Sequence, residues 1–273
     1  MINKETANTI PDIRLEVLSA SGSVLSGISR KHLTKAILLY EKEYVPGDRI
    51  RLTVKNPGFY IISLEDTLGP EFVYLKAPVF DYKIPFGDAR LSYSPRSFSG
   101  TQHLLYARPA EEAEISLTRN LARNRYDCHD NSVLFPHACA NVETRGESVF
   151  AARNAIDGVI YPWLHGNYPC GSWGINRQAD AEWHIDFGRN VRADLLILTT
   201  RADFPHDSSW TEASVRFSDG TDIVLKLLKT GDGQCFPLHG RIFSGFTLHA
   251  LKKADDASPF PALVQVEVTG TNA

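Results

Sequence analysis

The strongest constraint on this chain is the way prolines punctuate a two-residue alternation in its first hundred residues. Pro46, Pro57, Pro70, Pro78, Pro85 and Pro95 recur too often for a long helix, because proline lacks an amide hydrogen and its ring clashes with the preceding turn. Between them, Arg49-Ile-Arg-Leu52, Phe59-Tyr-Ile-Ile-Ser-Leu64 and Phe72-Val-Tyr-Leu75 carry the period of two expected when one strand face packs on a core and the other meets water. Tyr44-Val-Pro-Gly-Asp48 supplies a turn before the strand at Ile50 to Val54. Residues 1–109 therefore read as a small all-β domain.

Residues 110–130 differ in character. Glu111-Glu-Ala-Glu-Ile-Ser-Leu-Thr-Arg-Asn-Leu-Ala-Arg-Asn124 is charged, bears Ala and Leu, and lacks Gly and Pro, which predicts a short helix or linker. Beyond it, residues 131–273 predict a short helix at Ser148 to Ala155. Strands follow at Ala181 to Phe187, Ala193 to Thr200, Ala213 to Phe217, Ile223 to Leu228, Gly245 to His249 and Val264 to Val268, each bounded by a Gly, Asp or Pro turn signal. Short strands at this spacing favour a sandwich over an α/β fold. The expected architecture is all-β: two β-sandwich, jelly-roll-like domains joined by a short helical linker, in a chain of 273 residues.

Composition narrows the functional classes. A formal net charge of −3 gives no clustered cationic footprint, so nucleic acid is excluded as an expected partner. No stretch approaches a membrane span, and Met1 to Pro11 lacks an apolar run of signal-peptide length. The expectation is a cytoplasmic protein, or an extracellular one if a leader belongs to a longer chain. The four cysteines, Cys128, Cys139, Cys170 and Cys235, are too scattered for a disulfide framework and read as reduced thiols. Cys128-His129 with His137-x-Cys139 has zinc-compatible chemistry, but adjacent first ligands rarely converge on one ion.

Four patterns, in order, resemble discoidin-like domains of the galactose-binding superfamily, the group that includes coagulation-factor C domains and bacterial carbohydrate-binding modules. They are Ala151-Ala-Arg-Asn-Ala-Ile-Asp-Gly158, Ala181-Glu-Trp-His-Ile-Asp-Phe-Gly188, Val215-Arg-Phe-Ser-Asp-Gly220 and Val264-Gln-Val-Glu-Val-Thr-Gly270. The resemblance covers about half the chain, roughly Asn131 to Thr271. It implies a lectin-like β-sandwich that binds a sugar or oligosaccharide through loops at one end. It also implies a structural calcium in the loop starting at Asn154, with Asp157 matching the turn aspartate. The threonine position falls at or near Pro162 and the closing-strand acid position at Gln265, which leaves one carboxylate for a cation that takes six to eight oxygens. No other cofactor is expected, and the oligomeric state stays open.

Sugars are recognised by aromatic rings laid on their C–H faces and by planar, multi-donor side chains that catch hydroxyl groups. Both classes occur in two segments. The first, Tyr161 to Arg177, is rich in Gly and Pro and carries Trp163, His165, Asn167, Tyr168, Trp173 and Arg177; the second, Arg201 to Trp210, carries Arg201, Asp203, Phe204, His206, Asp207 and Trp210. The resemblance implies ligand contact for Arg201, directly after a strand, and for an aromatic from a neighbouring loop. The asparagine that often follows in relatives is absent, so galactose-type specificity does not carry over. Candidate ligand-binding residues are thus Trp163, His165, Asn167, Trp173, Arg177, Arg201, Asp203, His206 and Trp210, with Trp183 assigned to the core.

Two rivals to a non-catalytic binder remain open. Asp203, His206 and Asp207 are close enough in sequence for general acid–base chemistry in a carbohydrate-active enzyme, although no nucleophile elbow, zinc-protease motif or phosphate-cradling loop accompanies them. Alternatively, Tyr168, Phe204 and Trp210 would be interface aromatics of a protein–protein module.

Overall fold

The computed structural model describes residues 12–27 and 34–273; Met1–Pro11, on which the reading of the N-terminus rests, lies outside the described residues. In the N-terminal half the strands are β1 (Ile13–Leu18), β2 (Val24–Gly27), β3 (Ala36–Tyr40), β4 (Arg49–Val54), β5 (Gly58–Ser63), β6 (Glu71–Leu75), β7 (Val79–Lys83) and β8 (His103–Pro109). Then come β9 (Arg119–Asn120), β10 (Leu134–Phe135), β11 (His137–Ala140), β12 (Trp173–Gly174), β13 (Trp183–Thr200), β14 (Trp210–Phe217), β15 (Asp222–Lys226), β16 (Gln234–Lys253) and β17 (Ala262–Asn272). The protein is all-β, as its proline spacing and alternation predict, and every strand pair is antiparallel.

The N-terminal half is a sandwich of a four-stranded sheet, β2-β1-β4-β7, on a five-stranded sheet, β10-β6-β5-β8-β3. Its core shows the alternation directly. On β4, Ile50, Leu52 and Val54 are buried while Arg49, Arg51 and Thr53 are half-buried on the other face, and on β3 Ala36, Leu38 and Tyr40 point inward. These residues join one hydrophobic cluster with Leu15, Val17, Ile62, Val73, Tyr82 and Leu105.

The C-terminal half is built from one eight-stranded set in the order β12-β17-β13-β16-β14-β15, with β11 on β13 and β9 on β17. Two predicted strands, Ala181 to Phe187 and Ala193 to Thr200, are one continuous strand. The Gly188-Arg-Asn190 segment that looks like a break is a bulge, with Gly188 at φ 72° and the register shifted between Asp186 and Val191. Trp183, Ile185, Phe187, Phe217, Phe243, Phe246, Val266 and Val268 form the centre of a second core. Gly270 is required where β17 crosses β13: a Cβ there would lie 2.1 Å from the Arg192 carbonyl oxygen.

Residues 110–130 contain less helix than their composition predicts. One turn, α1 (Glu112–Ile115), is followed by β9, which pairs with β17. Leu121 and Ala122 then belong to the second core and Tyr126 to the first, so this segment is packed into both. The predicted helix at Ser148 to Ala155 is instead two short 3₁₀ turns, Ser148–Phe150 and Ala152–Ile156. The reason lies at their boundary, where Ala151 is extended and breaks the helical hydrogen-bond ladder.

Candidate functional site

Strand β13 ends at Thr200, and the next residue, Arg201, is 4% exposed. Its amide donates to the Ala262 carbonyl at 3.0 Å, which fixes the backbone against the start of β17. The guanidinium lies 5.8 Å over the Phe150 ring, with Nη2 3.4 Å from the Phe260 carbonyl oxygen. Its Nε is 2.8 Å from Oδ2 of Asp207, itself 4% exposed. The pair is close but misaligned for a hydrogen bond, so Nε and Nη1 of Arg201 and Oδ2 of Asp207 are buried polar atoms without hydrogen-bond partners in the protein. Burial pushes the Asp207 carboxyl up, with Arg201 and His165 opposing it, and burial likewise lowers the Arg201 pKa.

Arg201 and Asp207 line a cavity of about 250 Å³. His165 and His206 contribute polar walls, while Phe150, Ile175, Phe260 and Pro261 contribute apolar ones. Arg145 reaches the rim, and the Arg177 guanidinium lies 4.6 Å over the Phe260 ring just outside.

His165 is oriented by the second loop: its Nδ1 lies 2.5 Å from Asp203 Oδ2 and 3.8 Å from Asp207 Oδ2. The carboxylates therefore gather His165, whereas His206, the imidazole that sequence proximity pairs with them, stands exposed with its carbonyl accepting from Ser258 Oγ. The ligating atoms of His165, Asp203 and Asp207 lie within 4.8 Å of one another, the one such group among the described residues. Arg201 at 2.8 Å from Asp207 sets a guanidinium against one of the two carboxylates, which disfavours a bound cation.

Two predicted contacts are corrected by burial, and two others lie outside this cavity. Trp173 (0% exposed) and Trp210 (3%) are core residues with ring centroids 6.3 Å apart, and Trp173 Nε1 donates to the Val142 carbonyl. Each begins a strand, β12 and β14, which turns its ring inward. The burial of Trp210 also removes it from a surface trio with Tyr168 and Phe204. Trp183 is core, as expected, its Nε1 donating to the Ala152 carbonyl. Trp163 is 57% exposed and packs edge-on against Tyr161, away from the cavity lining. Asn167 is exposed and is also absent from that lining, because the Tyr168 amide donates to the Leu91 carbonyl and draws this part of the loop to the N-terminal half. Phe150, Phe260 and Arg145 escaped sequence reading. Phe150 lies in a segment read as a helix and Phe260 in one to which no element was assigned, and nothing local marks them.

Asp157 does not suit calcium. Its Oδ1 accepts the Val159 amide at 2.7 Å, closing the turn, and burial raises its pKa to about 7 despite Arg153 and Arg125 nearby. A single carboxyl that is half protonated at neutral pH, facing two guanidiniums, is a poor donor set for a hard dication. Nor does zinc find four ligands: His137 binds Asp127 at 2.7 Å, His129 binds Glu143 at 2.8 Å, and Cys128 and Cys139 are free thiols.

No family model matches the chain, and no curated protein matches it. Among solved structures it is similar to a fucose-binding module from Streptococcus pneumoniae, at 16% identity and a TM-score of 0.38, covering 55% of this chain and 96% of that one. A chitosan-binding module of a chitosanase/glucanase from Paenibacillus sp. IK-5 matches at 18% identity and a TM-score of 0.38, covering 56% and 100%. A family 32 carbohydrate-binding module from C. perfringens, solved with galactose, matches at 15% identity and a TM-score of 0.38, covering 48% and 91%.

Proposed function

We propose that the protein binds a sugar or oligosaccharide in the cavity between the loop that leads into β12 and the loop that follows β13, and that it does so without catalysis. The observation that carries this reading is Arg201, a buried guanidinium that lines the cavity and has two nitrogens without hydrogen-bond acceptors in the protein. Leaving such donors unmade costs about 1–3 kcal/mol each, which a ligand hydroxyl arriving at the wall would recover. Asp207 Oδ2 offers the complementary acceptor, so one hydroxyl pair meets a donor and an acceptor side by side. Phe150, Ile175, Phe260 and Pro261 offer apolar surface for the C–H face of a ring, and about 250 Å³ accommodates one or two sugar residues. The discoidin-like sequence patterns agree with this use of the loops.

The test is a glycan-array screen followed by titration calorimetry on the full chain. His206→Ala and Arg145→Ala are exposed changes in the cavity lining that leave the buried ion pair intact. Each is expected to weaken a captured glycan by about tenfold, the value of one lost polar contact near 1.4 kcal/mol. Trp163→Ala, outside the cavity, is expected to bind as wild type. Absence of binding to every glycan by the folded wild type would overturn the reading. Turnover of a bound glycan would favour the enzyme, and losses spread evenly over Trp163, Tyr168 and Phe204 would favour a protein interface.

A further inference from the structure

A second arginine cluster lies where the halves meet, apart from the site above. Phe72 on β6, Arg119 and Asn120 on β9, Leu121 and Arg123 just beyond, and Arg189 in the β13 bulge enclose a cavity of about 130 Å³. The floor is aromatic. Phe59 stacks on Phe72 at 5.4 Å and touches Tyr74 at 5.0 Å. Two guanidiniums lie on this floor, Arg119 at 3.7 Å over Phe72 and Arg189 at 5.0 Å over Phe59.

Their charge is not matched. Glu71 pairs with Arg123 at 2.9 Å and stands 3.9 Å from Arg125, and Glu114 is held by Arg108 at 2.5 Å. Among the described residues, neither Arg119 nor Arg189 forms an ion pair. Arg119 Nη2 is buried with no acceptor, and its Nε has only a 3.4 Å bond to the Leu117 carbonyl. Arg189 donates Nε to Asn272 Oδ1 and Nη1 to the Phe187 carbonyl, both at 2.7 Å, which holds its plane still. Burial lowers the pKa of both, Arg189 to about 10. Two like charges stacked on one apolar floor with too few acceptors form an arrangement that a multivalent anion completes.

We propose that this cavity binds a tetrahedral oxyanion, a phosphate or sulfate group, clamped between Arg119 and Arg189 at the seam of the two halves. The shape agrees with the charge, since about 130 Å³ admits one such group and excludes a whole sugar ring with its substituents. Planar guanidinium forks match the paired oxygens of an oxyanion, which point-like ammonium groups do not. The group is either the free ion or an ester carried by a larger ligand.

The test uses the full chain, dialysed free of phosphate and sulfate, with calorimetry and thermal melts at constant ionic strength. Inorganic phosphate, inorganic sulfate and glucose 6-phosphate are compared with chloride. Tm is expected to rise with the oxyanions and not with chloride, and Arg119→Gln or Arg189→Gln is expected to weaken phosphate binding by about tenfold or more. Arg119→Lys, which keeps the charge and loses the fork, is expected to fall between. Tighter binding of inorganic phosphate identifies a free-ion site; tighter binding of the sugar phosphate identifies an ester site. Equal Tm shifts with chloride, or unchanged phosphate affinity in folded Arg119→Gln, would overturn the proposal. Should Arg189→Gln not fold, Arg119→Gln, at a half-buried position on the two-residue strand β9, decides alone.

Discussion

Arg201 and the pair Arg119–Arg189 are all arginines withdrawn from water beside aromatic rings, yet they are balanced in opposite ways. Arg201 has Asp207 at 2.8 Å, keeps Nε and Nη1 without hydrogen bonds, and lines a cavity with it, an arrangement we propose for a neutral, hydroxyl-bearing ligand. Arg119 and Arg189 have each other and an aromatic floor. Arg153 is a third case. Its Nε and Nη2 donate to the Asp127 and Arg125 carbonyls at 2.8 and 3.3 Å, so backbone oxygens satisfy it and Asp157 nearby is free to hold a proton. The difference teaches that the partner of a buried guanidinium, and not its burial, determines what the site can take up.

That contrast can be broken most directly at Arg201. Arg201→Ala leaves Asp207 buried and unpaired, and denaturant unfolding is expected to show a loss of about 3–5 kcal/mol. Adding Asp207→Asn should restore much of it, and a loss below about 1 kcal/mol in the single variant would mean the pair is not a unit. Next is Asp157. Its folded pKa, about 7, lies above the ordinary value of 3.8, so its contribution to stability is complete below about pH 4 and is lost as pH rises through about 7. Asp157→Asn removes that slope. Urea melts are expected to show the variant gaining a few kcal/mol on wild type between pH 5 and pH 8, whereas parallel wild-type and variant pH curves would place the proton elsewhere. A smaller effect is expected for Arg119→Gln without phosphate. Losing one of two unopposed charges offsets the lost stacking, so stability should stay within about 1 kcal/mol of wild type, in contrast to Arg201→Ala. Smallest is the response to salt. Raising sodium chloride should weaken phosphate binding at the seam while altering sugar affinity at Arg201 by less than about twofold, because the Arg201 charge is already matched.

Much of the fold was legible because alternation survives packing. The buried Ile50, Leu52 and Val54 read straight from their spacing. The continuity of β13 did not, since Gly188-Arg-Asn190 has the composition of a turn and only its pairing with β16 reveals a bulge. At the candidate site, Arg201, His165, Asp203 and His206 were legible as polar side chains in two loops. Trp173 misled because a Gly- and Pro-rich stretch looks exposed, although two residues of pairing between β12 and β17 suffice to turn an indole inward, and Trp210 misled as the end of a polar loop although it opens β14. The seam cavity left no local trace. Arg119 reads as part of a charged linker and Arg189 as part of a turn, and only long-range packing brings them together over Phe72.

The Tyr168–Leu91 hydrogen bond at 2.8 Å has a mechanical consequence. The segment carrying His165 is tied to its own half where Ala202 donates to the Pro162 carbonyl at 2.7 Å, and to the other half at Leu91. It is a beam on two supports, with the imidazole mounted in the span. A chain cut down to residues 131–273 would turn that beam into a cantilever, free at the end that the N-terminal half now holds. Its ligand affinity would then report the stiffness of the missing support as much as the chemistry of the cavity.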